Sequence, residues 1–232
     1  MRVRAALTMI ALVMAGCASR PKEVAAPPTA IPPPAPVPMP LPPGGAAAGL
    51  KVPQRQADGS FVTPNTGVSA QGAVWHLRAA LNVAVLGCPD PDGMLATAYN
   101  RFLNAQRTGL AAAHRSLVAE HASTAAFDTA MTRLYNYYAQ PPVAAAFCAV
   151  ATPMLTQAAA LPSGGVTSFA ATALPMIDAP FIDFYSRYDQ YRVELAAWRA
   201  GQPSPVIRLA YDPAVLAGQD MVTGGAVRTA TR

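Results

Sequence analysis

The feature that most constrains this chain is the distribution of its prolines. Of the 24 in the sequence, eleven fall between Arg20 and Leu50, at positions 21, 27, 28, 32, 33, 34, 36, 38, 40, 42 and 43. Proline fixes φ and lacks an N–H, so a tract this dense excludes helix and sheet pairing. It favours the extended polyproline II conformation, in which thirty residues reach on the order of 90 Å. This divides the chain into a short N-terminal segment, a proline-rich tether over 17–56, a part able to fold over 57–218, and a frayed tail over 219–232. The tract reads as a spacer free of helix, strand and packed contacts. The competing reading is a PxxP ligand for an aromatic groove.

The N-terminal segment has the pattern of an export signal. Arg2 and Arg4 make it positive, Ala5–Ala15 is apolar apart from Thr8, and small residues precede Cys17. These are the n-region, h-region and exit of a signal peptide over 1–16. The apolar run is about half of the ~20 residues needed to span a bilayer, which argues against a permanent transmembrane anchor.

Val13-Met14-Ala15-Gly16-Cys17 resembles the lipobox of Gram-negative bacterial lipoproteins, with Met14 where leucine is usual. The resemblance implies that Cys17 is the lipid attachment site and that the chain is cut just before it. The alternative is an ordinary signal cut near Ala18. Ala18 and Ser19 follow the cysteine, where an aspartate would imply retention in the inner membrane. The resemblance therefore implies the outer membrane, with the domain in the periplasm. It covers only these residues and implies nothing about the domain.

Charge placement narrows the function classes. The formal net charge of +5 lies wholly in the first 56 residues, which hold six basic residues against Glu23. Residues 57–232 carry eleven arginines and eleven acids and are neutral. A neutral domain has no basic field to neutralise phosphates, so nucleic acid is excluded as a partner. With Cys17 lipidated, the remaining cysteines, Cys88 and Cys148, are expected to form a disulfide in the oxidising periplasm. Two buried free thiols are the alternative.

The folding part reads as all-α, an irregular bundle of five or six helices with short extended segments at both ends. Residues 57–69 carry turn chemistry at Asp58-Gly59 and Pro64-Asn65-Thr66-Gly67. Val74, Leu77, Leu81, Val85 and Cys88 then recur at helical steps behind Ser69, a candidate N-cap. Further helices are expected over about Leu95–Ala119, after Ser123 or Thr124, after Pro141-Pro142, and over about Met176–Ala200. Pro153 is expected to kink or restart the fourth. Val206–Tyr211 alternates as an extended segment.

No catalytic constellation emerges. There is no G-x-S-x-G turn, no glycine-rich phosphate loop with a lysine, and no H-E-x-x-H. No metal or cofactor is expected; His76, His114 and His121 read as surface or capping residues. Asp178, Asp183, Asp189 and Glu194 read as the solvated face of one helix, with Asp183 paired to Arg187 four residues on. Two tyrosine clusters interleaved with arginine form a candidate binding surface: Arg133, Tyr135, Tyr137 and Tyr138, with Tyr185, Arg187, Tyr188 and Arg192. The same residues equally supply bulk to an alanine-rich core. The expectation is a lipid-anchored envelope protein that is a non-enzymatic structural or interaction module, its partners the membrane and another envelope protein. The alternative is an envelope hydrolase or small-ligand binder built on the Tyr/Arg clusters.

Overall fold

Helix α1 (Ala70–Gly87) is the axis around which the rest packs. Ser69 caps it, its Oγ accepting the Gly72 N–H at 2.9 Å. Val74, Leu77 and Leu81 are fully buried, and so are Ala79, Ala80 and Ala84 on the neighbouring faces. Small residues there let other helices approach closely, so α1 touches each of the other five. A computed structural model describes residues 37–202. The segment read as a signal peptide, Cys17, the Val206–Tyr211 segment and the tail lie outside the described residues.

The bundle is all-α, and among the described residues no strand forms. The turn-rich lead-in contributes a single antiparallel bridge between Arg55 and Phe61. The continuous helix expected over Leu95–Ala119 is two helices, α2 (Met94–Ala105) and α3 (Arg107–Ala119). The chain bends at Gln106 (φ −104°, ψ 12°). Its side chain is 1% exposed, and its amide donates to the Pro162 carbonyl at 2.8 Å. The bend allows α2 to pack on α5 while α3 packs on α1. Just beyond it, Gly109 is where the Val166 side chain approaches, 2.9 Å from the position a Cβ would take.

Helix α4 (Thr124–Tyr138) starts at Ser123, whose Oγ accepts the Ala126 N–H at 3.1 Å. A 3-10 turn over Pro141–Val143 leads into α5 (Ala144–Ala159), which runs through Pro153 without restarting. The stretch Pro141–Ala159 is long and apolar enough to cross a membrane by length and composition. Here it packs against α1, α2 and α6. Cys148 joins Cys88, the residue that ends α1, in the expected disulfide, with Cα atoms 5.4 Å apart.

Helix α6 (Val166–Arg199) begins ten residues earlier than expected. Pro175 and Pro180 lie inside it, each costing a hydrogen bond. Burial of Val166, Ala170, Ala173, Leu174, Ile177 and Phe181 along the core outweighs that loss. The helix is 34 residues, or about 51 Å at 1.5 Å per residue.

One expectation is corrected at the N-terminal side. Residues 37–50 are not a free spacer but a strap packed against the bundle. The Trp198 Nε1–H donates to the Val37 carbonyl at 2.9 Å, and the Tyr188 hydroxyl donates to the Ala47 carbonyl at 2.7 Å. Ala46 is buried. Gly44, at φ +62°, backs so closely onto the Pro142 carbonyl that a Cβ has no room. Proline-rich backbone leaves its carbonyls unpaired, and two aromatics of α6 with polar tips, the buried Tyr188 and the exposed Trp198, supply donors. Limited thermolysin digestion should therefore yield a fragment beginning near residue 37. Gly44→Ala, strained by about 1–2 kcal/mol at positive φ before the clash is counted, should move that boundary to near residue 57. Equal cleavage of both proteins within 37–50 would contradict the docked strap.

Candidate functional site

The polar centre of the domain is a network around Asp178, assembled from four separate elements. The turn Pro64-Asn65-Thr66-Gly67 is closed by the Thr66 N–H on the Thr63 carbonyl at 3.0 Å. Gly67 takes the positive φ of 69° that the turn requires. The turn presents Thr63 and Asn65 to α6, where Asp178 is 7% exposed. Thr63 Oγ1 donates to Asp178 Oδ2 at 2.9 Å. Asn65 Nδ2 and the Tyr137 hydroxyl donate to Oδ1 at 2.7 and 2.5 Å.

The network continues through Asn65 to α1 and α4. With its amide nitrogen directed at Asp178, Asn65 Oδ1 accepts from the Tyr138 hydroxyl and from His76 Nδ1, both at 2.9 Å. This arrangement assigns the His76 proton to Nδ1. Burial pushes both phenols up, and for Tyr137 the neighbouring Asp178 carboxylate adds to it, so both remain protonated donors. Burial lowers His76 to about 4, with Glu120 opposing and His121 adding slightly. The imidazole is therefore neutral at physiological pH.

A pH dependence follows with a definite sign. The unfolded chain protonates His76 near 6.5, whereas the folded domain resists until about 4. Stability falls as pH drops through that interval, and above it both states carry neutral imidazole, so the contribution vanishes. The shift corresponds to about 3 kcal/mol. Urea unfolding of wild type and His76→Gln should diverge below about pH 6, the wild type losing more. Parallel stability curves would contradict a buried neutral His76.

Beside the network lies a cleft of about 400 Å³ between the start of α1 and the middle of α6. Asn65, Ser69 and Asp178 form its polar part, and Val68, Ala73, Leu174 and Ile182 are among its apolar walls. A second, more open groove runs along α6 past Arg55, Asp183, Arg187, Asp189 and Arg192. Its charges pair with one another: Arg187 with Asp183 at 2.9 Å, and Arg55 and Arg192 with Asp189 at 3.7 Å each.

The structure separates the candidate Tyr/Arg surface into two populations. Tyr137, Tyr138, Tyr185 and Tyr188 are core residues, and Phe181 packs between Tyr137, Tyr138 and Phe147. Arg133, Arg187 and Arg192 are exposed. Tyr135 is half-buried and accepts from Arg78 at 3.1 Å. Helical spacing places the two residue types on opposite faces, and an alanine-rich bundle needs the rings for volume.

The acids and histidines also divide. Asp183 is solvated and paired as expected, but Asp178 and Glu194 are buried, Glu194 accepting from Gln190 at 3.2 Å. His121 caps α3 through the Leu117 carbonyl at 2.7 Å, and His114 is wedged between Trp75 and Phe127. His76 is neither surface nor capping: it is 6% exposed and belongs to the network. Sequence reasoning missed Thr63, Asn65 and Asp178 as partners. The only local signal was the Pro64–Gly67 turn, which marks the loop but not its target. No family model, curated protein or solved structure matches this chain.

Proposed function

We propose that this chain is a lipid-anchored protein of the Gram-negative cell envelope. It is cut before Cys17 and held in the outer membrane by acyl chains on that residue. Its helical domain works in the periplasm as a rigid module that engages another envelope protein. The observation that carries the reading is the disposition of the polar side chains. Asp178, Asn65, His76, Tyr137 and Tyr138 direct their hydrogen bonds at one another and tie three helices to the turn. Such a satisfied network gives rigidity and a unique packing, which suits a presenting scaffold. The competing hydrolase reading drew on Tyr/Arg clusters, whose tyrosines mostly fill the core. The disulfide suits the oxidising periplasm.

Cells expressing wild type or Cys17→Ser, fed an alkyne-bearing palmitate analogue, test the anchor. Wild type should label and sediment with outer membranes, while the variant should do neither. A variant that still labels and sediments would overturn the anchoring. Photo-crosslinking from an exposed position such as Arg133 should give one discrete adduct in wild type that is lost in Cys17→Ser.

A further inference from the structure

The structure assigns a ligand site to the cleft between α1 and α6: we propose that it binds a primary ammonium group on a short apolar stem, the ammonium against Asp178 and the stem along the alanine and leucine walls.

Three observations lead there. First, three neutral donors converge on the Asp178 carboxylate and no cation among the described residues does. Oδ1 accepts from both Asn65 and Tyr137, while Oδ2 accepts from Thr63 alone, which leaves Oδ2 with room for one more donor. Burying a carboxylate costs more than burying an amide. Yet Asp178 is 7% exposed and has no cationic partner among the ion pairs of the described residues. His76 does not compensate it, being held neutral by burial.

Second, the few polar groups of the cleft, Asn65, Ser69 and Asp178, stand beside a helix turn that proline leaves one donor short. Pro175 has no N–H to give the Ala171 carbonyl four residues before it, and helix geometry points that carbonyl towards Pro175. Both residues line the cleft. Ser69, which lines the cleft, donates to the Glu120 carboxylate outside it at 2.8 Å. An ammonium, with three donors and no acceptor, complements this set.

Third, the volume of about 400 Å³ is at the small end of ligand pockets. Val68, Ala70, Ala73, Ala170 and Leu174 leave a mainly apolar channel beside the carboxylate. A short alkyl stem fits that channel, whereas a bare inorganic cation would leave it unfilled. A free amine and a peptide's lysine share this chemistry.

The test is a chemical-shift titration of the full chain, disulfide intact, with n-pentylammonium. Saturable shifts centred on Asn65, Ala73 and Ala170 are expected, and n-pentanol should give none at the same concentrations. Asp178→Asn, which removes the charge but keeps an acceptor for Asn65 and Tyr137, should weaken binding about tenfold or more. Ala171→Leu, an exposed position at the cleft, should weaken it without touching the core. A parallel titration with Nα-acetyl-lysine methylamide separates the sources: tighter binding than pentylammonium assigns a peptide lysine, weaker binding a free amine. Equal binding of n-pentanol, or unchanged affinity in folded Asp178→Asn, would overturn the proposal.

Discussion

Replacing both Cys88 and Cys148 by alanine should lower the domain's melting midpoint by roughly 8–16 °C. The bond joins residues 60 apart in sequence, and the entropy of closing such a loop in the unfolded chain is worth about 4 kcal/mol. Domains of this size have only ~5–15 kcal/mol in total. The closed loop contains α2, α3 and α4, so without the bond those three helices are held to α1 and α5 by packing alone. Alanine at both positions leaves no thiol within the helical bundle to mispair. Calorimetry of the oxidised wild type and the double variant makes the comparison, and a difference under about 3 °C would mean that packing alone fixes the α1–α5 junction.

Asp178→Ala should cost roughly 3–5 kcal/mol, because it strands three donors in the interior. The Thr63 and Tyr137 hydroxyls and the Asn65 amide all lose their acceptor. Asn65 in turn orients His76 and Tyr138, so the loss propagates into α1 and α4. Asp178→Asn should cost less, about 1–3 kcal/mol, since its oxygen still accepts from Asn65 and Tyr137 and only the Thr63 hydroxyl loses its acceptor. Urea denaturation separates the two. Equal destabilisation by both variants would show that the charge itself holds the network together.

How much of this was legible in the sequence depended on whether the cause was local. The Ser69 and Ser123 caps were readable because the capping side chain and its target N–H lie three residues apart. The disulfide was readable by counting, since only two cysteines remain once Cys17 is set aside. The break at Gln106 was not, because the side chain that stabilises it reaches Pro162, 56 residues away. The start of α6 was misplaced because Pro175 is a strong local stop signal, overridden here by tertiary burial of Val166, Ala170, Ala173 and Leu174. Asp178 looked like one more charge on a solvated face. Its partners Thr63 and Asn65 are 115 and 113 residues distant, and nothing near Asp178 marks it as different from Asp183. The strap misled for a related reason: proline composition reports that a segment makes no helix or sheet. It does not report that Trp198 and Tyr188 wait to bond its carbonyls.

The central claim is that Cys17 carries the lipid that holds this domain in the envelope. Intact-mass analysis of the protein extracted from outer membranes with detergent, without reductant, addresses it most directly. The account predicts a chain beginning at Cys17 whose mass exceeds that of the polypeptide by a diacylglyceryl group with or without a further acyl chain, all of the excess on the N-terminal peptide. A chain that begins elsewhere, or one that begins at Cys17 with no added mass, would contradict it.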